Sequence, residues 1–179
     1  MLCLMTMSFF EMPADSCIFA FQIHFMNNND VLRRIRFIFD FNDDRMMELF
    51  KLGGIPASRA EISDWLKKEE DAAFQGISDH QLAVFLNGLI VMKRGKKDGD
   101  PLIAEKKINN NVVFRKLRIA LNLRDDDILA ILLKAGLRLS KHELSAFFRS
   151  PEQSQYRICK DQVLRNFLMG LQIHFQQQA

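Results

Sequence analysis

The chain has 179 residues, with 25 basic and 22 acidic side chains and a formal net charge of +3. Three cysteines at unrelated spacings, Cys3, Cys17 and Cys159, argue against a disulfide framework and against a zinc site. They favour a reducing compartment, so we expect a cytoplasmic protein.

Residues 1–25 are apolar, but they lack the basic start of a signal peptide, and acidic and proline residues at 11–15 interrupt them. The interruption leaves no run long enough to cross a membrane. These residues have no counterpart elsewhere in the chain, and Met26 stands directly before the first repeat. We therefore interpret them as an N-terminal extension and expect translation to begin at Met26.

The rest of the chain is a tandem duplication. An ungapped offset of 82 residues aligns 28–90 with 110–172 and pairs identical or similar side chains along the whole stretch. Such self-similarity indicates two copies of one structural unit. We assign repeat 1 to residues 26–90, a basic linker to 91–109 and repeat 2 to 110–175.

The first helix of each repeat is predicted over about 30–39 and 112–121, from apolar residues at helical spacing. Another face carries arginines three residues apart, Arg33 and Arg36 in repeat 1 and Arg115 and Arg118 in repeat 2. Such a face can bind phosphate groups. Alternatively, the arginines bridge to the acids at 43–44 and 125–126.

The second helix is predicted to begin at those acid pairs, because acids at a helix start complement the helix dipole. A glycine, Gly54 or Gly136, marks its end. The third helix then begins at Ser58 or Ser140, each followed three residues later by glutamate, which is the capping-box pattern.

Two helices joined by a short glycine turn have the size of a helix-turn-helix. In that interpretation the third helix of repeat 2 offers Lys141 and Arg149 to a nucleic acid. In repeat 1 the acidic residues at 69–71 would repel phosphates, and an ordinary helical hairpin is the alternative.

The fourth helix is predicted to begin near Ser78 and Asp161. Gly88 and Gly170 lie inside its apolar pattern, where a glycine costs about 1 kcal/mol relative to alanine. Their presence in both repeats predicts a close helix crossing, which we expect between the two copies of this helix.

Charge is unevenly distributed. Repeat 1 carries 8 basic and 11 acidic residues, the linker 6 and 3, and the chain from residue 110 onward 11 and 6. Lys93, Arg94, Lys96 and Lys97 form the densest basic cluster. The asymmetry either attracts a polyanion to the basic half or draws the two halves together.

No histidine, cysteine or carboxylate spacing resembles a metal site, and there is no phosphate-binding glycine loop or nucleophile elbow. We therefore expect no enzyme activity and no cofactor.

The pattern Leu-Arg-Arg-Ile-Arg…Ala-Glu-Ile-Ser-x-Trp-Leu-Lys…Phe-Leu-Asn-Gly-Leu, followed by His-Glu-Leu-Ser-Ala-Phe-Phe-Arg…Phe-Leu-Met-Gly-Leu, resembles the bacterial YehS-like family. The resemblance spans Met26 to about Phe175. It implies two copies of a helical domain of unknown function, and it implies no activity and no site residues.

We predict an all-α protein of two tandem four-helix repeats with helix-turn-helix-like hairpins, related by a pseudo-two-fold axis. The leading functional hypothesis is a non-enzymatic protein that binds RNA or DNA through the linker and repeat 2. The alternative is a protein-interaction adaptor, a rigid platform for a partner's helix. The candidate nucleic-acid contacts are Lys93, Arg94, Lys96, Lys97, Arg115, Lys116, Arg118, Lys141 and Arg149.

Overall fold

A computed structural model describes residues 26–96 and 102–177. In these ranges every regular element is a helix. Repeat 1 contains α1 (Asn28–Ile38), α2 (Asp43–Leu52), α3 (Arg59–Leu66) and α4 (Asp79–Arg94). Repeat 2 contains α5 (Asn110–Ala120), α6 (Asp125–Lys134), α7 (Lys141–Ala146) and α8 (Asp161–Gln176). The prediction of a duplicated all-helical protein is confirmed. The extension at residues 1–25 lies outside the described residues.

The predicted capping boxes are present. Ser58 caps α3 and Ser140 caps α7, each accepting a hydrogen bond from the N3 amide, while Glu61 and Glu143 accept one from the cap amide. The backbone and hydroxyl donors of the serines lower the pKa of both glutamates below the usual value.

Helix boundaries differ from the prediction in two places. α1 and α5 begin two residues earlier than expected, because asparagines at 27 and 109 accept the capping hydrogen bonds. α2 begins at Asp43, as predicted, and Asn42 is its cap. The asparagines that precede these helices were the missed signal.

A buried asparagine holds each repeat together. Asn29 donates to the backbone oxygens of Trp65 and Gln75 at 2.8 Å each and accepts from the amide of Ile77 at 3.1 Å. In repeat 2, Asn111 makes the same three bonds to the residues 82 positions later, at 2.8–2.9 Å. The end of the third helix and the loop before the fourth are thereby tied to the first helix.

The two repeats contact each other through equivalent hydrogen bonds. Asp79 accepts from the Asn28 side chain of its own repeat and from the amide of Ile108 near repeat 2. Asp161 accepts from the Asn110 side chain and from the amide of Met26 in repeat 1. Because each contact has its counterpart at the same offset, a pseudo-two-fold axis relates the repeats. Reciprocal packing of α4 on α5 and α1 on α8 forms their interface.

The expected glycine crossing exists, but its partner helix was predicted wrongly. A Cβ at Gly88 would lie 1.8 Å from the backbone oxygen of Leu49 on α2, and one at Gly170 would lie 2.1 Å from that of Ile131 on α6. The fourth helix therefore crosses the second helix of its own repeat closely, and the two copies of the fourth helix do not make this crossing.

The segment between the repeats is partly structured. α4 continues through Arg94, past residue 90, where repeat 1 was expected to end. Residues 102–108 then run back along α4, since Leu102 contacts Asn87 and Ile108 contacts Asp79. This return places the start of α5 beside the start of α4.

Candidate functional site

Lys116, predicted from the sequence as a nucleic-acid contact, is not a surface residue. It is 8% exposed at the α4–α5 interface. Its ammonium group donates to the side-chain oxygen of Asn87 and lies 2.9 Å from a carboxylate oxygen of Glu105. The charge of Lys116 is thus compensated at the interface between the repeats and is turned away from solvent.

The other candidates of repeat 2 are engaged within the protein. Arg118 lies 2.7 Å from Asp125, and its guanidinium stacks 4.6 Å above the ring of Phe148. Lys141 lies 2.7 Å from Asp126, which raises the pKa of the lysine. These pairs reproduce Arg36 with Asp43 and Arg59 with Asp44 in repeat 1.

Arg115 and Arg149 also have partners. Arg115 is exposed and donates to the backbone oxygens of Phe148 and Arg149, at 3.2 and 3.5 Å. The Arg149 side chain donates to Gln155 at 2.8 Å. Arg33 and Arg115 therefore tie the first helix to the end of the third. Arg36 and Arg118 pair with the first acid of the second helix.

The basic residues of the linker differ from the candidates in repeat 2. Lys93, Arg94 and Lys96 are exposed at the end of α4, and among the described residues no carboxylate pairs with them. Lys93 lies 5.0 Å from the centre of the Phe39 ring. Lys97 lies outside the described residues. This cluster is the part of the predicted site that retains free positive charge.

The hairpins of the second and third helices are too compact to support the helix-turn-helix interpretation. α3 has 8 residues and α7 has 6. Their first basic residues, Arg59 and Lys141, form ion pairs with the acids that begin α2 and α6. A recognition helix needs free side chains to read bases, and these two basic residues are held within the hairpin instead.

Repeat 1 has an open cleft at the end of its third helix. It encloses about 330 Å³ between α1 and the end of α3, and its lining is Arg33, Arg36, Phe37, Asp40, Phe41 and Leu66. At the position of Leu66, repeat 2 carries Phe148, whose ring covers Arg118. The larger ring in repeat 2 occupies the space that the smaller leucine leaves open in repeat 1.

The cleft is not a strong anion site. Arg33 donates to the backbone oxygen of Lys67 at 2.6 Å and to Asp30 at 2.7 Å. Arg36 donates to the backbone oxygen of Phe41 at 3.0 Å and to Asp43 at 2.9 Å. Phe37 is 62% exposed at its edge. The lining thus combines arginines whose charge is already paired with apolar surface from Phe37, Phe41 and Leu66.

In the described residues, no three histidine, cysteine or acidic side chains are grouped so that they could hold a metal ion. Cys159 is buried, and burial raises the pKa of its thiol to about 12. None of the helices in the ranges 26–96 and 102–177 has both the length and the apolar character that crossing a bilayer requires.

A family model described as "Protein of unknown function (DUF1456)" matches residues 28–95 and again residues 110–176. The chain belongs to this family. It is 45% identical over 147 residues to "Uncharacterized protein YehS" of Escherichia coli (strain K12), covering 82% of this chain and 94% of that relative. The resemblance seen in the sequence is confirmed. No solved structure matches the chain.

Membership of this family of unknown function agrees with the structure, since the two matched regions are the two four-helix repeats. The sequence did not reveal the cleft, because the difference between Leu66 and Phe148 reads as an exchange of one apolar residue for another. A comparison of side-chain size at equivalent positions was the available signal.

Proposed function

We propose that the protein is a non-enzymatic, cytoplasmic protein-interaction adaptor. Its helical frame presents the cleft of repeat 1 to an apolar side chain on a partner's helix. The observation that carries this proposal is the open cleft beside Phe37, a large apolar residue that is 62% exposed. An exposed aromatic residue at the edge of a pocket is typical of protein-binding surfaces.

Rigidity supports this function. The cleft is lined from α1 and the end of α3, and Arg33 bonds directly between them. Asn29 fixes the same junction from the buried side. A preorganised site loses little conformational entropy when a partner binds, so a small cleft can supply useful affinity.

The test uses the two repeats as matched surfaces. A photo-crosslinking amino acid is placed in the full chain at position 37, and separately at the equivalent position 119, in bacterial cells. We expect a discrete crosslinked partner from position 37 only. Leu66→Phe should reduce that product roughly tenfold, because it fills the cleft as Phe148 does in repeat 2.

The reciprocal variant is Phe148→Leu, which opens the second cleft and should create a product from position 119. Unchanged helicity of each variant is checked by circular dichroism. An equal amount of crosslinked product from position 37 with and without Leu66→Phe would contradict the proposal.

Nucleic-acid binding remains the second candidate, because Lys93, Arg94 and Lys96 are exposed and unpaired among the described residues. Retention on RNA and DNA across a salt series tests it. The double variant Arg94→Glu with Lys96→Glu should reduce the salt slope by about 2, whereas the equal charge change at Lys106 and Lys107 should alter it less. Absence of retention at low salt would remove this candidate and leave the adaptor.

A further inference from the structure

The charges around the cleft of repeat 1 indicate what kind of segment it accepts. Asp40 lines the cleft and is exposed, and its amide donates to the backbone oxygen of Phe37. The two arginines that line the cleft are already paired with acids of α1 and α2. In the part of the chain that the structure describes, no basic side chain pairs with Asp40. The cleft therefore offers a partner an unpaired carboxylate next to the exposed ring of Phe37.

A second hollow adjoins the cleft. It encloses about 240 Å³, and its lining is Asp30, Arg33, Lys68, Glu69 and Glu70. Arg33 lines both spaces, so the hollow continues the cleft toward the start of α1. Glu69 accepts a hydrogen bond from the side chain of Asn27, whereas no basic side chain among the described residues pairs with Glu70. Unpaired carboxylates thus stand on both sides of the cleft, Asp40 just past the end of α1 and Glu70 near its start.

Repeat 2 does not reproduce these charges. Four acids line the cleft and the hollow of repeat 1, and the register places uncharged residues at three of the equivalent positions, namely Val112, Asn122 and Pro151. The backbone is nevertheless alike, since φ is 50° at Asp40 and 54° at Asn122. At this position the repeats therefore share a conformation and differ in charge.

We propose that the cleft and the hollow together bind a basic amphipathic helix of a partner protein. An apolar side chain of that helix enters the cleft beside Phe37, and lysine or arginine side chains one turn before and one turn after it pair with Glu70 and Asp40. Residues four apart lie on the same face of a helix, so one face presents all three groups. Complementary charges on both sides of an apolar anchor fix the position and direction of the bound helix.

This inference rests on the proposed adaptor function and adds the chemistry of the partner. The two unpaired carboxylates repel phosphate groups, so the same surface disfavours a nucleic acid. Other helices are disfavoured as well, because an acidic helix would place like charges against Asp40 and Glu70.

The first test uses designed peptides and the full chain. The probe is a fluorescent, alanine-based helical peptide with a central leucine and a lysine four residues before and after it. We expect saturable binding by anisotropy at low salt. A matched peptide with glutamates in place of the two lysines should bind at least tenfold more weakly, and so should one with alanine in place of the leucine. The inference would be overturned by a lysine peptide that shows no saturable binding up to about 1 mM, or by equal affinities for the lysine and glutamate peptides.

The second test changes the protein. Asp40→Asn combined with Glu70→Gln should weaken binding of the lysine peptide roughly fivefold, because two exposed ion pairs are lost. Asparagine suits this left-handed position, as Asn122 does in repeat 2. Asn122→Asp adds a carboxylate at the equivalent place and is the matched control, which should leave binding unchanged. Equal affinity of the lysine peptide for the double variant and the parent would contradict the charge pairing.

Leu66→Phe separates this inference from the proposed function. It should weaken binding of the lysine peptide roughly tenfold, because the larger ring fills the cleft. If instead the glutamate peptide binds more tightly and loses its affinity with Leu66→Phe, the cleft is a binding site and the basic helix is the wrong partner. If neither peptide binds and crosslinking from position 37 gives no product that Leu66→Phe reduces, the inference and the proposed function fail together.

Discussion

Asn29 and Asn111 are used in the same way because few side chains can make their contacts. A carboxamide supplies two donors and an acceptor on one short side chain, and each asparagine uses all three in a buried site. An aspartate has the same shape but lacks the two donors. The backbone oxygens at the end of the third helix and in the loop before the fourth would then lose their partners in the interior.

We therefore expect Asn111→Asp to lower the free energy of unfolding by about 3 kcal/mol, since two buried carbonyls lose donors and a charge is introduced. The measurement is urea denaturation followed by far-UV circular dichroism. Asn166→Ala is the control, because that amide pairs with the exposed side chain of Gln162. Similar midpoints for the two variants would contradict the buried-network explanation.

Lys116 illustrates why single residues are hard to place from sequence. Its position on the first helix matches Arg34, and a lysine among arginines reads as part of a basic face. Burial arises only because residues 102–108 return along α4 and bring Glu105 over the helix. That contact depends on the path of a connecting segment, for which the amino-acid pattern carries no periodic signal.

At the scale of helices, the duplication made the prediction of the third helices accurate. Ser58 with Glu61 and Ser140 with Glu143 are local patterns whose meaning does not depend on tertiary contacts, and both proved to be capping boxes. The partner of the Gly88 crossing was mispredicted, because a glycine reports a close approach without identifying the other helix. Helix-to-helix assignment needs the packing of the whole repeat.

The glycine crossings make a direct prediction. Gly170→Ala should destabilise the protein by about 3 kcal/mol, because its Cβ would lie 2.1 Å from the backbone oxygen of Ile131 and the helices must separate. Gly76→Ala is the control, since a Cβ there meets no atom within 4 Å and its φ is not left-handed. Thermal denaturation distinguishes them. A melting temperature of Gly170→Ala equal to that of Gly76→Ala would show that the crossing tolerates the methyl group.

At the scale of the whole molecule, charge pairing changes the meaning of the net charge. The sequence suggested a basic half that is free to bind a polyanion. In the structure Arg118, Lys141 and Lys116 meet Asp125, Asp126 and Glu105, all within repeat 2 or the linker. Net charge sums over such pairs, so it overstates the field that a ligand experiences at this surface.

The reciprocal contacts of Asp79 and Asp161 indicate that the repeats unfold together. Each aspartate accepts one hydrogen bond from an asparagine side chain of its own repeat. It accepts another from a backbone amide just before the first helix of the other repeat. The α4–α5 and α1–α8 interfaces bury apolar residues of both repeats in one continuous core. A core shared in this way makes separate folding of one repeat unfavourable.

We expect Asp161→Asn to destabilise repeat 1 as much as repeat 2, by about 1–3 kcal/mol, because the new NH2 group would face one of two donors, the backbone N–H of Met26 or the side-chain NH2 of Asn110. Trp65, the single tryptophan, reports unfolding of repeat 1 by fluorescence. Labelling of the buried Cys159 thiol, with Cys3 and Cys17 changed to serine, reports repeat 2. Both probes should give one denaturation midpoint in the parent, and Asp161→Asn should shift both midpoints equally. Labelling of Cys159 at a denaturant concentration that leaves Trp65 fluorescence native would show that the repeats are separate folding units. The shared core would then contribute little to the stability of either one.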